Sequence, residues 1–156
     1  MSLLSVLVPT RDRPEKVTSV VAGALDLARR PDEVEFLFYL DHDDAASEPA
    51  IRAAAGPRRW QVVRGERLRD QSYWNRLADR AAGEIFFLGA DDLAFRTTGW
   101  DELVRDGMAR AARGGVGMVY GHDGDFGPRL ATHPFVTRRW KEVVGFFVPP
   151  YFERCF

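Results

Sequence analysis

Cysteine is almost missing. Cys155 is the only one in 156 residues, so the chain can form no internal disulfide and no multi-cysteine metal site. Lysine is confined to Lys16 and Lys141, so arginine carries nearly all the positive charge. Neither sign of charge prevails, because 22 basic side chains stand against 23 acidic ones for a formal net charge of −1. Without a global field to draw in nucleic acid or an anionic membrane, charge-driven binding must be local. No apolar run approaches the ~18 residues of a membrane span, and Met1-Ser2-Leu3 carries no basic leader, so the expectation is a soluble, cytoplasmic protein. The phosphate loop Gly-x-x-x-x-Gly-Lys-Ser/Thr and the dinucleotide fingerprint Gly-x-Gly-x-x-Gly are both lacking, which removes the usual NTPase and dinucleotide readings. What remains is ordinary for a globular core: 46% hydrophobic and 12% aromatic residues, with no repeat and no low-complexity stretch. That length suits one domain over residues 1–156.

Strand and helix signals alternate along the chain. Leu3 to Val8 is a short apolar run stopped by Pro9, and it reads as a buried strand. Pro14 suits a first helical turn, with Asp12 or Arg13 near the cap. Val17, Val20, Val21, Ala24, Leu25 and Ala28 then recur at offsets of three and four, one apolar helical face, and Pro31 closes the helix. Phe36–Leu40, Trp60–Val63, Ile85–Leu88, Val116–Tyr120 and His133–Thr137 read as further strands. Helices are expected over Glu48–Ala55, along the Tyr73, Trp74, Leu77, Ala78, Ala81 face, along the Trp100, Leu103, Val104, Met108, Ala111 face, and over Arg138–Val144. Such alternation predicts an α/β fold with a mostly parallel sheet and helices on both faces.

In sheets of this kind the ligand crevice lies beyond the carboxyl ends of the strands. Here those ends carry Thr10-Arg11-Asp12-Arg13, Asp41-His42-Asp43-Asp44, Asp91-Asp92 and His122-Asp123. Carboxylates brought to one edge repel, so they need a cation or a hydrogen-bond donor between them. Adjacent Asp91 and Asp92 can offer one oxygen to a hard divalent cation and one to a ribose, or can cap a helix. Asp41 and Asp43 can accept from a base or a ribose, or can sit in a solvated loop. Arg11 and Arg13, next to a helix start, suit a diphosphate or lie on an arginine-rich surface. His133 and His122 can ligate a metal or donate to phosphate, or serve structure alone. Trp74 and Trp100 sit on apolar helical faces and read as core. Arg64, Arg67 and Arg69 read as a solvated basic loop.

The order of these pieces resembles the nucleotide-binding half of family 2 glycosyltransferases, which have the GT-A fold. Ser5-Val6-Leu7-Val8-Pro9-Thr10-Arg11-Asp12-Arg13 is similar to that family's first strand and nucleoside-holding loop. Glu35 to Asp44 is similar to its second strand, whose terminal aspartate accepts from the base. Asn75 to Asp92 resembles its helix, Ala-x-Gly-Glu turn, fourth strand and Asp-x-Asp metal motif, with Gly89 in place of the first acid. The resemblance implies a nucleoside-diphosphate sugar as donor, an unknown acceptor, and Mn²⁺ or Mg²⁺ as cofactor. It puts Pro9, Thr10, Arg11, Arg13, Asp41, Asp43, Asn75 and Asp92 at the nucleotide and Asp91 at the metal; His133, on its own side-chain chemistry, is the further candidate ligand.

Val143 to Phe152 resembles the segment leading into the family's acceptor loop, and the family's catalytic acid would follow shortly. The chain therefore reads as short at its C-terminus, with Asp123, Asp125 and Glu153 as candidate bases. Two functions compete: a hexosyl-type glycosyltransferase, and a binding module that keeps the nucleotide pocket without turnover. A receiver-like aspartyl phosphorylation domain fits less well, because Lys141 lies too far along the chain. Phe146, Phe147, Tyr151, Phe152 and Phe156 either pack against a second copy or another protein, or fold back as core.

Overall fold

The computed structural model describes residues 3–68 and 70–151; Arg69, Phe152, Glu153, Cys155 and Phe156 lie outside the described residues. The strands are β1 (Leu4–Thr10), β2 (Val34–Asp41), β3 (Arg59–Gly65), β4 (Ile85–Leu88), β5 (Met118–Tyr120) and β6 (Pro134–Thr137). The helices are α1 (Pro14–Leu27), α2 (Ser47–Ala55), α3 (Ser72–Ala78), α4 (Trp100–Ala111) and α5 (Arg138–Val144). The six strands form one sheet in the order β3-β2-β1-β4-β6-β5. The first four run parallel, while β6 pairs antiparallel with both β4 and β5.

Alternation along the strands decides the layers, because successive side chains point to opposite faces. Leu4, Val6 and Val8 of β1 and Phe36, Phe38 and Leu40 of β2 are buried against Val17, Val20 and Val21 of α1, Ile51 of α2 and Trp100 of α4. Leu7, Leu37 and Tyr39 point the other way, onto Tyr73 and Leu77 of α3. With both faces covered, β1 and β2 read as continuous apolar runs rather than alternating ones.

β1 continues through Pro9, where the sequence suggests a stop. Leu7 turns its carbonyl towards β4, accepting from Gly89 N at 3.0 Å, so position 9 also faces that side. The β1–β4 ladder ends at Leu7↔Leu88, so the N–H that proline lacks has no partner to lose. β6 is antiparallel, so its amino end, not its carboxyl end, lies at the crevice edge. His133 accordingly stands beside β4, its Nδ1 2.8 Å from the Leu88 carbonyl oxygen.

The aromatic C-terminal group divides. Phe147 is buried edge-on to Phe86 at 5.9 Å between ring centres, whereas Tyr151 is 74% exposed and touches Phe146. Phe147 has thus folded back as core. The Asn75 side chain holds it there, accepting from Phe147 N and Val148 N at 2.7 and 2.9 Å and donating to the Val148 carbonyl at 2.7 Å. Among the described residues no helix is long and apolar enough to cross a membrane.

Candidate functional site

The carboxyl ends of β1, β2 and β4 bring three loops together. Thr10 closes β1, and its hydroxyl donates to Asp91 Oδ2 at 2.7 Å. Asp91 is only 6% exposed, and its other oxygen accepts from Arg13 Nη1 at 3.1 Å. Arg13 occupies the position just before α1, so the helix start itself sets where the guanidinium stands. Arg11 turns towards β2 instead. Its Nη1 lies 2.6 Å from both Asp41 Oδ2 and Asp43 Oδ1, and its Nη2 donates to Asp43 Oδ2 at 2.8 Å. The two carboxylates, Asp43 first, raise the Arg11 pKa above its ordinary value. In return Arg11 holds the exposed Asp43 carboxyl below the usual range.

The turn between Arg11 and Arg13 is pinned from below. Asp12 has φ +50°, a left-handed conformation that aspartate tolerates better than most residues. Its N–H donates to Asp44 Oδ2 at 3.0 Å. Asp44 is wholly buried, and its Oδ1 also accepts from Ala46 N and Ser47 N ahead of α2. Burial pushes the Asp44 carboxyl up, but the hydrogen bonds from Ser47, Asp12 and Ala46 outweigh it and leave the pKa lowered. Asp44 therefore serves as a fixed buried anion that shapes the β1–α1 turn.

These groups open on a cleft of about 530 Å³. Pro9, Thr10, Arg11, Arg13, Asp41 and Asp91 form part of its wall, and Tyr39, Arg67, Asp70, Gln71, Tyr73 and Trp74 the rest. The volume suits a ligand of nucleotide-sugar size. Trp74 and Arg67 belong to this wall, where the sequence suggests core and solvated loop. The Trp74 indole N–H donates to the Gly89 carbonyl at 2.9 Å, so one edge of the ring is anchored while the side chain reaches the cleft. The wall residues Asp70 and Gln71 give no sequence signal beyond lying in the loop that follows β3. Hydrogen bonds from Ser72 keep the Asp70 carboxyl below its ordinary value.

Other candidates stand elsewhere. Asp43 belongs to the Arg11 cluster but not to the cleft lining, and Asp92 is exposed and also outside that lining. Asn75 is committed to the 147–148 backbone. Asp123 folds its own loop, accepting from the amides of Asp125, Phe126 and Gly127 and from the Thr132 hydroxyl. Those donors, Gly127 first, lower its pKa well below the carboxylate range. Asp125 is exposed in the same loop, and neither residue lines the cleft.

The donor set does not fit a resident divalent cation. Both Asp91 oxygens already accept, one of them from a permanently charged guanidinium. A second acid at position 89 has no room, because a Cβ there would lie 2.8 Å from the Leu7 carbonyl oxygen and 3.1 Å from Val8 Cγ2. Among the described residues no group of three His, Cys, Asp or Glu side chains could hold a metal ion.

This sheet order, with helices on both faces and a cleft at the strand ends, is the fold of GT-A glycosyltransferases. Three of the solved structures this chain resembles show the likeness. A mannosyltransferase from Pyrobaculum calidifontis, in complex with GDP-Man and Mn²⁺, superposes with a TM-score of 0.76 at 18% identity, over 94% of this chain and 48% of that one. A mycobacterial protein gives 0.63 at 16% identity, over 88% and 54%. Glucosyl-3-phosphoglycerate synthase from M. tuberculosis gives 0.62 at 13% identity, over 88% and 58%. At such identities the likeness is one of fold, and this chain spans about half the length of each of those proteins. No family model matches the sequence, and no curated protein matches it.

Proposed function

We propose that this chain is the donor-binding part of a glycosyltransferase, taking a nucleoside-diphosphate sugar for transfer of a hexose to an acceptor hydroxyl. One observation carries the reading: Thr10, Arg13, Asp41 and Asp91 meet in a single cleft of about 530 Å³ at the carboxyl ends of three parallel strands. The mannosyltransferase solved with GDP-Man supports a nucleotide sugar as the ligand class. In the transfer the acceptor oxygen bonds to the anomeric carbon, the carbon–oxygen bond to the diphosphate breaks, and the nucleoside diphosphate leaves with the electron pair. The acceptor proton goes to a base. Arg13 faces the leaving charge, and groups aimed at developing charge are the strongest catalytic contributors. The expected Mn²⁺ or Mg²⁺ on Asp91, with His133 beside it, is not part of this reading, because Arg13 and Thr10 already occupy that carboxylate.

A second reading, a binding module without turnover, has its own support. Asp123 is consumed by its loop and Asp125 lies outside the cleft lining, so neither stands where a base is needed. The two readings share a first test. Thermal unfolding is followed with GDP-mannose, UDP-glucose or TDP-glucose, each with and without Mn²⁺, and with free hexose as control. A ligand at about 100 times its Kd stabilises by about 2.7 kcal/mol. For a chain of this size that corresponds to roughly 5–10 °C. A rise with one nucleotide sugar and none with hexose is expected; no rise with any of them defeats both readings. Release of nucleoside diphosphate over hours then separates transferase from binding module.

A further inference from the structure

Three features of the cleft are at odds with a cation-centred diphosphate site. Position 89, where a second acid would stand, is sealed against any side chain. Its N–H bonds to the Leu7 carbonyl at 3.0 Å, its carbonyl accepts from Trp74, and a Cβ would strike the β1 backbone. Asp91 holds Arg13 by an ion pair at 3.1 Å, and the Arg13 side chain, which lines the cleft, is still 56% exposed. Arg67 lines the same cleft and is exposed as well.

From these features we infer that Arg13 and Arg67 bind the diphosphate directly, with Asp91 fixing Arg13 in the place a divalent cation would take. The inference rests on the nucleotide-sugar reading and deepens it.

The division of labour among the arginines follows from their partners. Arg11 is tied to Asp12, Asp41 and Asp43, so its charge is already matched. Arg13 spends one nitrogen on Asp91, and a guanidinium has five N–H donors in a fixed fork. The remaining edge can meet phosphate oxygens in the paired geometry that guanidinium and phosphate favour. Thr10, on the far oxygen of Asp91, keeps that carboxylate turned towards Arg13. The arrangement supplies positive charge without a metal and spares the site from binding a hydrated cation through a single carboxylate.

GDP and UDP are titrated calorimetrically into the whole chain, once in EDTA and once in Mn²⁺. The same is done for Arg13→Gln, Arg13→Lys and Arg67→Gln. Wild-type affinity is expected to differ by less than about threefold between the two buffers. Arg13→Gln is expected to weaken binding about tenfold, the scale of one charged hydrogen bond, and Arg67→Gln less. Arg13→Lys keeps the charge but loses the fork, and falls between. Arg13→Gln leaves the buried Asp91 without its cation and lowers the unfolding midpoint, whereas Arg67→Gln does not, so circular dichroism at the titration temperature verifies that each variant is folded where binding is read. Binding in Mn²⁺ that is lost in EDTA overturns the inference and leaves the nucleotide reading standing. Wild-type affinity in Arg13→Gln overturns it too. No binding in either buffer overturns both.

Discussion

The sheet holds Glu35 at its amino end and the pair Asp41 and Asp91 at its carboxyl end in opposite ways. At the amino end, Glu35 of β2 is 6% exposed, and its Oε1 accepts from the Ser5 hydroxyl and from the amides of Ala82 and Gly83. Gly83 N also donates to Ser5 Oγ at 3.0 Å, and a Cβ at Gly83 would lie 2.3 Å from that oxygen. At the carboxyl end, Asp41 and Asp91 are equally buried, but their cationic partners are arginines whose side chains are 34% and 56% exposed. Fixed backbone donors cannot leave, so Glu35 is permanently part of the fold. Partly exposed guanidinium groups keep donors free for a second anion while holding the first. A carboxylate met by such cations at a strand end marks a ligand site, and one met by amides marks a joint.

The largest expected effect tests the joint. Glu35→Leu leaves the Ser5 hydroxyl and the Ala82 amide without their acceptor, while Gly83 N keeps Ser5 Oγ, which should cost about 3 kcal/mol in urea unfolding at 1–3 kcal/mol per buried unsatisfied group. Glu35→Gln keeps one acceptor oxygen and should cost less. A loss under about 1 kcal/mol for Glu35→Leu would erase the distinction between the two ends.

That distinction was only partly legible in the sequence. Apolar runs followed by acidic turns placed β1, β2 and β4 and the edge at which Thr10, Asp41 and Asp91 meet, because buried parallel strands and strand-end loops follow from local pattern. Pairing did not follow from pattern. Arg11 meets Asp41 across 30 positions, Arg13 meets Asp91 across 78, and Glu35 meets Ser5 and Gly83 across 30 and 48. Which arginine neutralises which acid depends on the strand order, and no window along the chain contains it. The role of Asn75 as a clamp on Phe147 and Val148 was hidden for the same reason. The strand over His133–Thr137 was legible but its antiparallel direction was not, because four residues between two turns say nothing about direction.

A smaller effect sharpens the contrast from the ligand side. Gly89→Asp restores the first acid of the motif, yet its Cβ meets the Leu7 carbonyl at 2.8 Å, so β1 and β4 must separate. Overpacking of this kind costs typically 1–3 kcal/mol. The variant should therefore unfold at lower urea than wild type and gain no Mn²⁺ affinity by calorimetry. A stable Gly89→Asp that binds Mn²⁺ would show that the carboxyl end is built to hold a metal after all.

The smallest expected effect concerns acid. Asp101 is wholly buried at the start of α4, accepting from Arg29 N, Arg30 N and the Arg105 side chain. Burial pushes its pKa up, but the bonds from Arg29, Arg105 and Arg30 prevail and leave it lowered. A carboxylate whose pKa falls on folding contributes stability above its unfolded value, near 3.9, and loses it as pH drops through the lowered one. Asp44 follows the same sign. Asp43 is also lowered, by Arg11, but its side chain is 66% exposed, and water screens such a pair. Acid unfolding followed by circular dichroism below about pH 4 should thus track the fixed anions. Asp101→Asn weakens the chain near neutral pH and flattens the acid limb, because the group that must be protonated is gone. Asp43→Asn leaves the midpoint and the slope unchanged. An acid limb that flattened in Asp43→Asn and not in Asp101→Asn would mean that the exposed Arg11 cluster, rather than the buried joints, holds the fold together.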